Sequence, residues 1–220
     1  MQVLAKQKEY SGGHVKEIFD FAKLVKRKVE QRQLEGRPAY AIVLESTYDV
    51  DANELWDALT NKDRLSLWFL PVSGELRTGG NYQLEGNAKG SINRCDQPKG
   101  FDITWEFGDN VSWVKVDLTA VTESQTTLRL EHLAIAEGEH WENYGPGAVG
   151  VGWDLGIGGL GNYIRTHKTV DQEAFFACPE YREFVSFSSK DWGEAACNAG
   201  YDREESIAVA KRTEKFYLGE

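Results

Sequence analysis

Apolar and polar residues alternate through the middle of this 220-residue chain. In a first segment, a period of two places Tyr40, Ile42, Leu44 and Tyr48 on one side. The same period returns in later segments, which contain Tyr82/Leu84, Ile92, Phe101/Ile103/Trp105/Phe107, Val114/Val116/Leu118 and Leu128/Leu130. Because successive side chains of a strand point to opposite faces, the alternation predicts an antiparallel meander with one apolar face.

Other segments show helical spacing. Between residues 14 and 34 apolar residues recur at that spacing with basic residues between them, which predicts an amphipathic helix. Asp51 or Asn53 can cap a short helix, and a second short helix is expected around residues 63–68. Over residues 149–164 the apolar positions step by four, four, three and four, which is typical of a helix about 25 Å long that covers the sheet.

Six glycines lie inside this last helix. Gly152, Gly156 and Gly159 share one face, which predicts that another helix approaches the backbone closely. The run from Gly156 to Gly161 also satisfies Gly-x-Gly-x-x-Gly, the dinucleotide-binding pattern. That pattern needs a preceding strand and a βαβ unit, whereas here it falls mid-helix after a meander, so nucleotide binding is not predicted.

The formal net charge is −10. Such a chain has no positive field to attract nucleic acid or anionic membranes, and no uncharged stretch reaches bilayer length. The charge is uneven, because residues 1–36 contain eight basic and five acidic residues. This basic arm is expected to dock on the acidic body of the protein.

Cysteine and histidine positions argue against several kinds of site. Cys95, Cys178 and Cys197 are widely spaced, so neither a disulfide framework nor a thiolate metal site is expected. No two histidines stand three or four residues apart, and no Gly-x-Ser-x-Gly elbow occurs, so neither a metal centre nor a hydrolase is predicted. No apolar run of signal-peptide length lies near the start, and we expect a cytoplasmic protein without a cofactor.

Several motifs follow one another in a defined order between residues 39 and 164. They are Val50-Asp51-Ala52 before Leu55-Trp56, Trp68-Phe69, Gly74-Glu75-Leu76-Arg77-Thr78-Gly79-Gly80-Asn81-Tyr82, Asn93-Arg94-Cys95-Asp96, Ile103-Thr104-Trp105, Leu128-Arg129-Leu130-Glu131-His132 and Gly152-Trp153-Asp154. In order and spacing they resemble the activator of heat shock protein 90 ATPase homologue family of the SRPBCC, or START-like, superfamily.

The resemblance implies an α+β helix-grip fold, in which a curved antiparallel sheet wraps a long C-terminal helix and leaves an internal cavity. With the helical patterns, it divides the chain into an N-terminal helical arm (1–36), a START-like domain (37–165) and a C-terminal helical extension (166–220). The extension contains helical patterns at 179–185, 188–199 and 202–217. These helices could receive the glycine face, cover the cavity mouth or form a dimer.

The candidate site is a set of side chains expected to face the cavity: Trp68, Tyr82, Arg94, Trp105, His132, Trp141 and Trp153. Ligand pockets are mostly apolar with a few directed polar groups, so this set suits a small hydrophobic ligand that is flat or aromatic. Alternatively the same rings fill the interior, and the protein is a scaffold without a ligand site.

His132 extends the apolar row of its strand. Its imidazole could bind a ligand, act as an acid or base, or be hydrogen-bonded at the edge of the core. Glu106 and Glu131 point to the opposite face and do not suit a pair with it. Residues 140–144 precede the last helix and suit either a gate at the cavity mouth or a plug, because they include His140, Trp141, Glu142 and Tyr144.

Three functions follow from these features. The favoured one is non-enzymatic binding of an apolar or aromatic small molecule in the cavity. The alternative is a protein-interaction module, associated with a chaperone by analogy with the ATPase activators or self-associating through its terminal helices. The third is a lyase or cyclase that works through His132.

Overall fold

The computed structural model describes residues 16–170 and 172–220. Its strands are β1 (Lys26–Leu34), β2 (Arg37–Tyr48), β3 (Val72–Gly74), β4 (Asn81–Leu84), β5 (Lys89–Asp96), β6 (Gly100–Phe107), β7 (Asn110–Thr122) and β8 (Gln125–Ile135). Its helices are α1 (residues 16–22), α2 (Ala52–Thr60), α3 (Lys62–Trp68), α4 (Glu139–Tyr144), α5 (Gly147–Thr166), α6 (Gln172–Ala177), α7 (Pro179–Asn198) and α8 (Arg203–Leu218). The described chain is therefore α+β, as predicted.

The eight strands form one curved, open sheet in the order β1-β2-β8-β7-β6-β5-β4-β3. Every neighbouring pair is antiparallel. From β3 to β8 each strand lies beside its neighbour in sequence, which confirms the predicted meander. Strands β1 and β3 extend the sheet beyond the strands that alternation predicted.

The predicted N-terminal helix is wrong over residues 26–34. Helix α1 ends at residue 22, and residues 26–34 pair with β2 as the edge strand β1. Val25 and Val29 are both buried. Residues four apart share a face in a strand as well as in a helix, so their spacing is compatible with either element. The start of the predicted helix, at residue 14, lies outside the described residues.

One face of the sheet carries the predicted apolar residues. The register aligns a first row across β2, β8, β7 and β6: Ile42, His132, Val114 and Ile103. A second row contains Leu44, Leu130, Val116 and Phe101. The members of both rows on β2, β7 and β8 are buried, with at most 4% of their surface exposed. Most of the sheet's buried apolar residues therefore lie on these three strands.

Helices α2 and α3 join the sheet near its apolar face. Asp51 accepts hydrogen bonds from the N–H groups of residues 53 and 54, which confirms it as the N-cap of α2. The indole of Trp56 on α2 meets the ring of Phe101 edge to face, with centroids 6.1 Å apart. Helix α2 is therefore placed against the apolar face.

The opposite face carries charges of alternating sign. One cross-strand row contains Lys28, Val43, Glu131, Lys115, Asp102 and Arg94. The next row contains Lys26, Glu45, Arg129 and Asp117. Apart from the Val43 position, charged neighbours in each row are opposite in sign. Such cross-strand pairs stabilise a sheet modestly.

A second compact unit contains the described residues of Met1–Val25 and Glu139–Glu220, whereas the sheet unit is Lys26–Gly138. Within this helical unit, α7 packs against both α5 and α8. The segments predicted at 179–185 and 188–199 form one continuous helix, α7. The pattern predicted at 202–217 forms α8, and Asp202 is its N-cap, because its side chain accepts the N–H of Glu205 at 2.9 Å. In the described ranges no helix is both long and apolar enough to cross a membrane.

Glycines do allow close approach to α5, but not on the predicted face alone. A Cβ atom at Gly150 would lie 2.3 Å from Cε2 of Trp192 on α7. One at Gly147 would lie 3.2 Å from the hydroxyl of Thr213 on α8. Gly152, from the predicted face, also faces α8, with its Cβ position 3.0 Å from the hydroxyl of Tyr217. The C-terminal helices therefore pack closely on this backbone, and at Gly150 there is no room for a side chain.

Helix α1 approaches α5 at two other glycines. Cβ atoms at Gly158 and Gly161 would lie 2.7 Å from Ile18 and 2.9 Å from Phe21. Both glycines belong to the dinucleotide-like run, which lies wholly inside α5. The run serves helix packing there.

Candidate functional site

Trp105 and His132 are two predicted site residues in direct contact. Their ring centroids lie 6.0 Å apart, with 55° between the ring planes. Both project from the apolar face, on β6 and β8, and Ser112 on β7 is the residue paired with Trp105. Nε2 of His132 lies 2.7 Å from Oγ of Ser112, and that hydroxyl donates to the Trp105 carbonyl at 3.1 Å.

This hydrogen-bond chain favours one tautomer of His132. The Trp105 carbonyl can only accept, so the Ser112 hydroxyl uses its proton there and accepts from Nε2–H of the imidazole. Burial lowers the pKa of His132 to about 3, because a buried imidazolium loses its hydration. The residue is neutral at physiological pH, with its proton on Nε2.

We expect acid to destabilise the fold through His132. In the unfolded chain the imidazole has a pKa of about 6.5 and takes up a proton below that pH. The folded protein does not do so until the pH approaches 3. This contribution to stability is therefore complete above about pH 6.5 and falls by about 1.4 kcal/mol per pH unit below about pH 6.

Urea unfolding of the wild type and His132→Gln, at about pH 7.5, 6 and 5, measures this effect. The variant lacks the titrating group, and its stability should fall less steeply between about pH 6 and 5. Equal slopes for the two proteins would contradict a buried, neutral imidazole.

The β6 side of the apolar face is more open than the rest. Phe101, Ile103 and Trp105 are partly exposed, whereas their neighbours Val114 and Val116 on β7 are 2% and 3% exposed. At about 3.3 Å per residue, the three side chains form an apolar strip about 13 Å long. We call these three residues the β6 strip.

Tyr82 borders the Trp105 end of the strip. Its hydroxyl donates to the carbonyl of Thr104 at 2.7 Å, so the side chain reaches from β4 across β5 to β6. Burial raises the pKa of Tyr82, and the charge of Glu106 raises it further. On β5, Gly90 is paired with Tyr82, and a Cβ atom there would lie 2.2 Å from the Thr104 carbonyl oxygen. The three strands are thus closely fitted around Tyr82.

Trp68 lies at the C-terminal end of α3 and contacts α2. Its indole N–H donates to the carbonyl of Ala58 on α2 at 2.9 Å. Its ring packs beside Phe69, with centroids 5.5 Å apart. Helix α2 also carries Trp56, which contacts Phe101 of the β6 strip. Trp68 is therefore connected to the strip through α2.

Arg94 lies on the opposite, charged face. A β-bulge between Ile92 and Arg94 inserts one residue, so Ile92 pairs with Ile103 but Arg94 pairs with Asp102. The guanidinium donates to Asp102 at 2.9 Å and to Asp117 at 2.7 Å. These carboxylates, Asp102 first, raise the pKa of Arg94. The sheet separates Arg94 from Trp105 and His132, so it is not part of the candidate site.

Trp141 and Trp153 belong to the helical unit. Trp141 stands on α4, with its ring centroid 5.7 Å from that of Tyr201. Trp153 stands on α5 and is partly exposed. Their participation in a ligand site stays a prediction.

Sequence reasoning missed a buried aspartate with two side-chain hydrogen-bond donors in the helical unit. Asp154 on α5 is 0% exposed and accepts hydrogen bonds from Ser188 Oγ at 2.5 Å and Trp192 Nε1 at 3.0 Å. The one feature of the sequence that could have indicated this site is that Asp154 is the only acidic residue of α5. Its donors lie 34 and 38 residues further along the chain, beyond the reach of any local pattern.

The candidate site offers apolar surface and neutral polar groups. Near neutral pH an unprotonated His132 cannot serve as a general acid, and its Nε2–H is engaged by Ser112. Among the described residues, no three His, Cys, Asp or Glu side chains are grouped as a metal ion requires. The arrangement suits binding better than proton transfer.

Comparison with known proteins gives both a family and a fold. The model of the family described as "Activator of Hsp90 ATPase homolog 1-like protein" matches residues 49–164. The crystal structure of CalU16 from Micromonospora echinospora is 29% identical, with a TM-score of 0.65, and the match covers 79% of this chain and 98% of CalU16. The solution structure of CalU16 is 28% identical, with a TM-score of 0.66 and coverages of 80% and 96%.

A conserved protein of unknown function from Enterococcus faecalis, EF2215, is 18% identical, with a TM-score of 0.57. That match covers 86% of this chain and 99% of EF2215. No curated protein matches the chain. The structural similarities confirm the predicted helix-grip fold. The family match begins just before α2 and ends inside α5, so α1, β1, β2 and α6 to α8 lie outside it.

Proposed function

This chain belongs to the Activator of Hsp90 ATPase homolog 1-like family, and we propose that it binds an apolar or aromatic small molecule without catalysing a reaction. The observation that carries the proposal is the partial exposure of the β6 strip beside fully buried rows of the same face. Removing such apolar surface from water is favourable, so an apolar guest would be stabilised there.

The surroundings of the strip favour a flat or elongated guest. At one end Trp105 and Tyr82 supply aromatic surface, and at the other end Phe101 is joined by Trp56. The strip's length of about 13 Å is comparable to a short acyl chain or a few fused rings. Polar groups are few and are placed near the Trp105 end, at Ser112 and His132. This combination is typical of ligand sites that take apolar molecules.

Trp105→Leu tests the proposal, with Trp113→Leu as a matched control. Trp113 lies on β7, paired with Thr104, and therefore projects from the charged face. Intrinsic tryptophan fluorescence is titrated with a panel of fatty acids, flavonoids and aromatic polyketides. We expect saturable quenching with at least one class, and at least about tenfold weaker affinity in Trp105→Leu, because central aromatic contacts often contribute 2 kcal/mol or more.

The control variant should bind with wild-type affinity. Equal weakening in both variants would move the site away from the β6 strip. A flat response of the folded wild type across the whole panel would contradict ligand binding. Such a result would instead favour the protein-interaction module that the family's description implies, tested by the effect of the chain on the ATPase rate of an Hsp90-type chaperone.

A further inference from the structure

Helix α4 is a six-residue helix placed between two glycines. Gly138 before it and Gly145 after it both have left-handed backbones, with φ of +89° and +52°. Glycine adopts this conformation without the strain that a Cβ atom causes, so both ends can reorient. None of the residues of α4 is buried. The helix is therefore not held by a core of its own.

Helix α8 supplies contacts that hold α4 in place. Arg212 donates from Nε to the carbonyl of Asn143 at 2.8 Å and from Nη2 to that of Glu142 at 3.2 Å. The hydroxyl of Thr213 donates to the carbonyl of Tyr144 at 3.1 Å. The last carbonyls of a helix have no partner within it. Helix α8 therefore caps the C-terminal end of α4 from outside.

Ring contacts add a second set of attachments. Trp141 packs on Tyr201, with centroids 5.7 Å apart, and Tyr144 packs on Phe216, with centroids 4.9 Å apart. Tyr201 precedes α8 and Phe216 lies near its C-terminal end. Arg212 is itself held by Glu205 of α8 at 2.6 Å. The attachments are thus distributed along α8, with the arginine already positioned to meet α4.

We infer that α4 is a hinged strap with a docked and a released state, and that the C-terminal helix α8 sets the balance between them. Isolated helices shorter than about 12 residues are marginal in water, so α4 without its α8 contacts loses its helical structure. In sequence, α4 connects β8 to α5. The C-terminal extension, which lies outside the family match, thereby controls a connection inside it.

Hydrogen exchange of the full chain tests the inference without any ligand. The variants are Arg212→Ala and, as a matched control, Arg182→Ala. Arg182 pairs with Glu220 in the same helical unit and is 60% exposed. Within the strap, the N–H of Gly145 donates to the Trp141 carbonyl at 2.7 Å and reports on docking. In Arg212→Ala we expect amides of residues 139–147 to exchange at least about tenfold faster, with α7 and α8 unchanged.

Arg182→Ala should exchange as the wild type does. Thr213→Val replaces the hydroxyl by a methyl group and serves as the second test variant if Arg212→Ala folds poorly. In Thr213→Val we expect the amides of residues 139–147 to exchange about threefold faster or more. If residues 139–147 exchanged at the wild-type rate in both Arg212→Ala and Thr213→Val, the inference would be overturned. Equal acceleration in α4, α7 and α8 would overturn it as well, because α4 would then not move separately.

Discussion

Replacing Trp192 with alanine is expected to lower the free energy of unfolding by about 3–5 kcal/mol. Its indole is 0% exposed and packs on the bare backbone of α5 at Gly150. Its N–H also donates to the buried carboxylate of Asp154 at 3.0 Å. The substitution leaves a cavity between α5 and α7 and removes one donor from Asp154. Both changes weaken the attachment of the C-terminal helices.

Trp192→Phe separates the two contributions. A phenyl ring keeps most of the packing but has no N–H, so we expect a smaller loss of about 1–3 kcal/mol from the weakened solvation of Asp154. Urea unfolding followed by circular dichroism measures both variants. Stability within about 1 kcal/mol of the wild type for Trp192→Ala would mean that this contact does not stabilise the fold.

Gly150→Ala is expected to destabilise the protein even though alanine is the better helix former. The new Cβ atom would lie 2.3 Å from Cε2 and 2.5 Å from Nε1 of Trp192, so the indole and the α5 backbone can no longer keep their present separation. Overpacking of this kind costs typically 1–3 kcal/mol or more, against a propensity gain of about 1 kcal/mol. Because the 2.3 Å approach is far inside contact distance, the cost should lie at the upper end of this range, and we expect a net loss of about 2 kcal/mol.

The sign should reverse once the indole is gone. In the Trp192→Ala background the same Gly150→Ala change has no ring to meet and gains up to about 1 kcal/mol from helix propensity. The four proteins form a double-mutant cycle, measured by urea unfolding. A loss of equal size in both backgrounds would show that Gly150 is required for a reason other than its contact with Trp192.

Alternation along the chain predicted strands β2 and β4 to β8 because one face of the sheet is apolar and the other is charged. It failed at β1, where the apolar residues Val25 and Val29 stand four positions apart and suit both a helix and a strand. The helix was predicted because basic residues lie between these apolar ones, as they do in an amphipathic helix. Pairing with β2, which no local pattern announces, makes this segment a strand.

On strands without a bulge, the face on which each candidate residue lies was predictable from the sequence. Trp105 and His132 follow the alternation of their strands, so their common face was expected, although their contact was not. The partner Ser112 depends on how β7 is aligned with β6 and β8, which is a property of pairing rather than of one segment. Arg94 was misplaced for a similar reason, because the bulge next to Ile92 changes the face of every later residue of β5.

The alternating charges also limit how the strands can be misaligned during folding. Shifting a strand by one residue would turn its apolar side chains toward water, but a shift of two residues would keep the faces. Such a shift of β8 against β7 would set Lys115 opposite Arg129 in one direction, or Asp117 opposite Glu131 in the other. Repulsion between like charges disfavours both alternatives. The charged face therefore favours one alignment of β8 and β7 among those that hydrophobic burial alone would not distinguish.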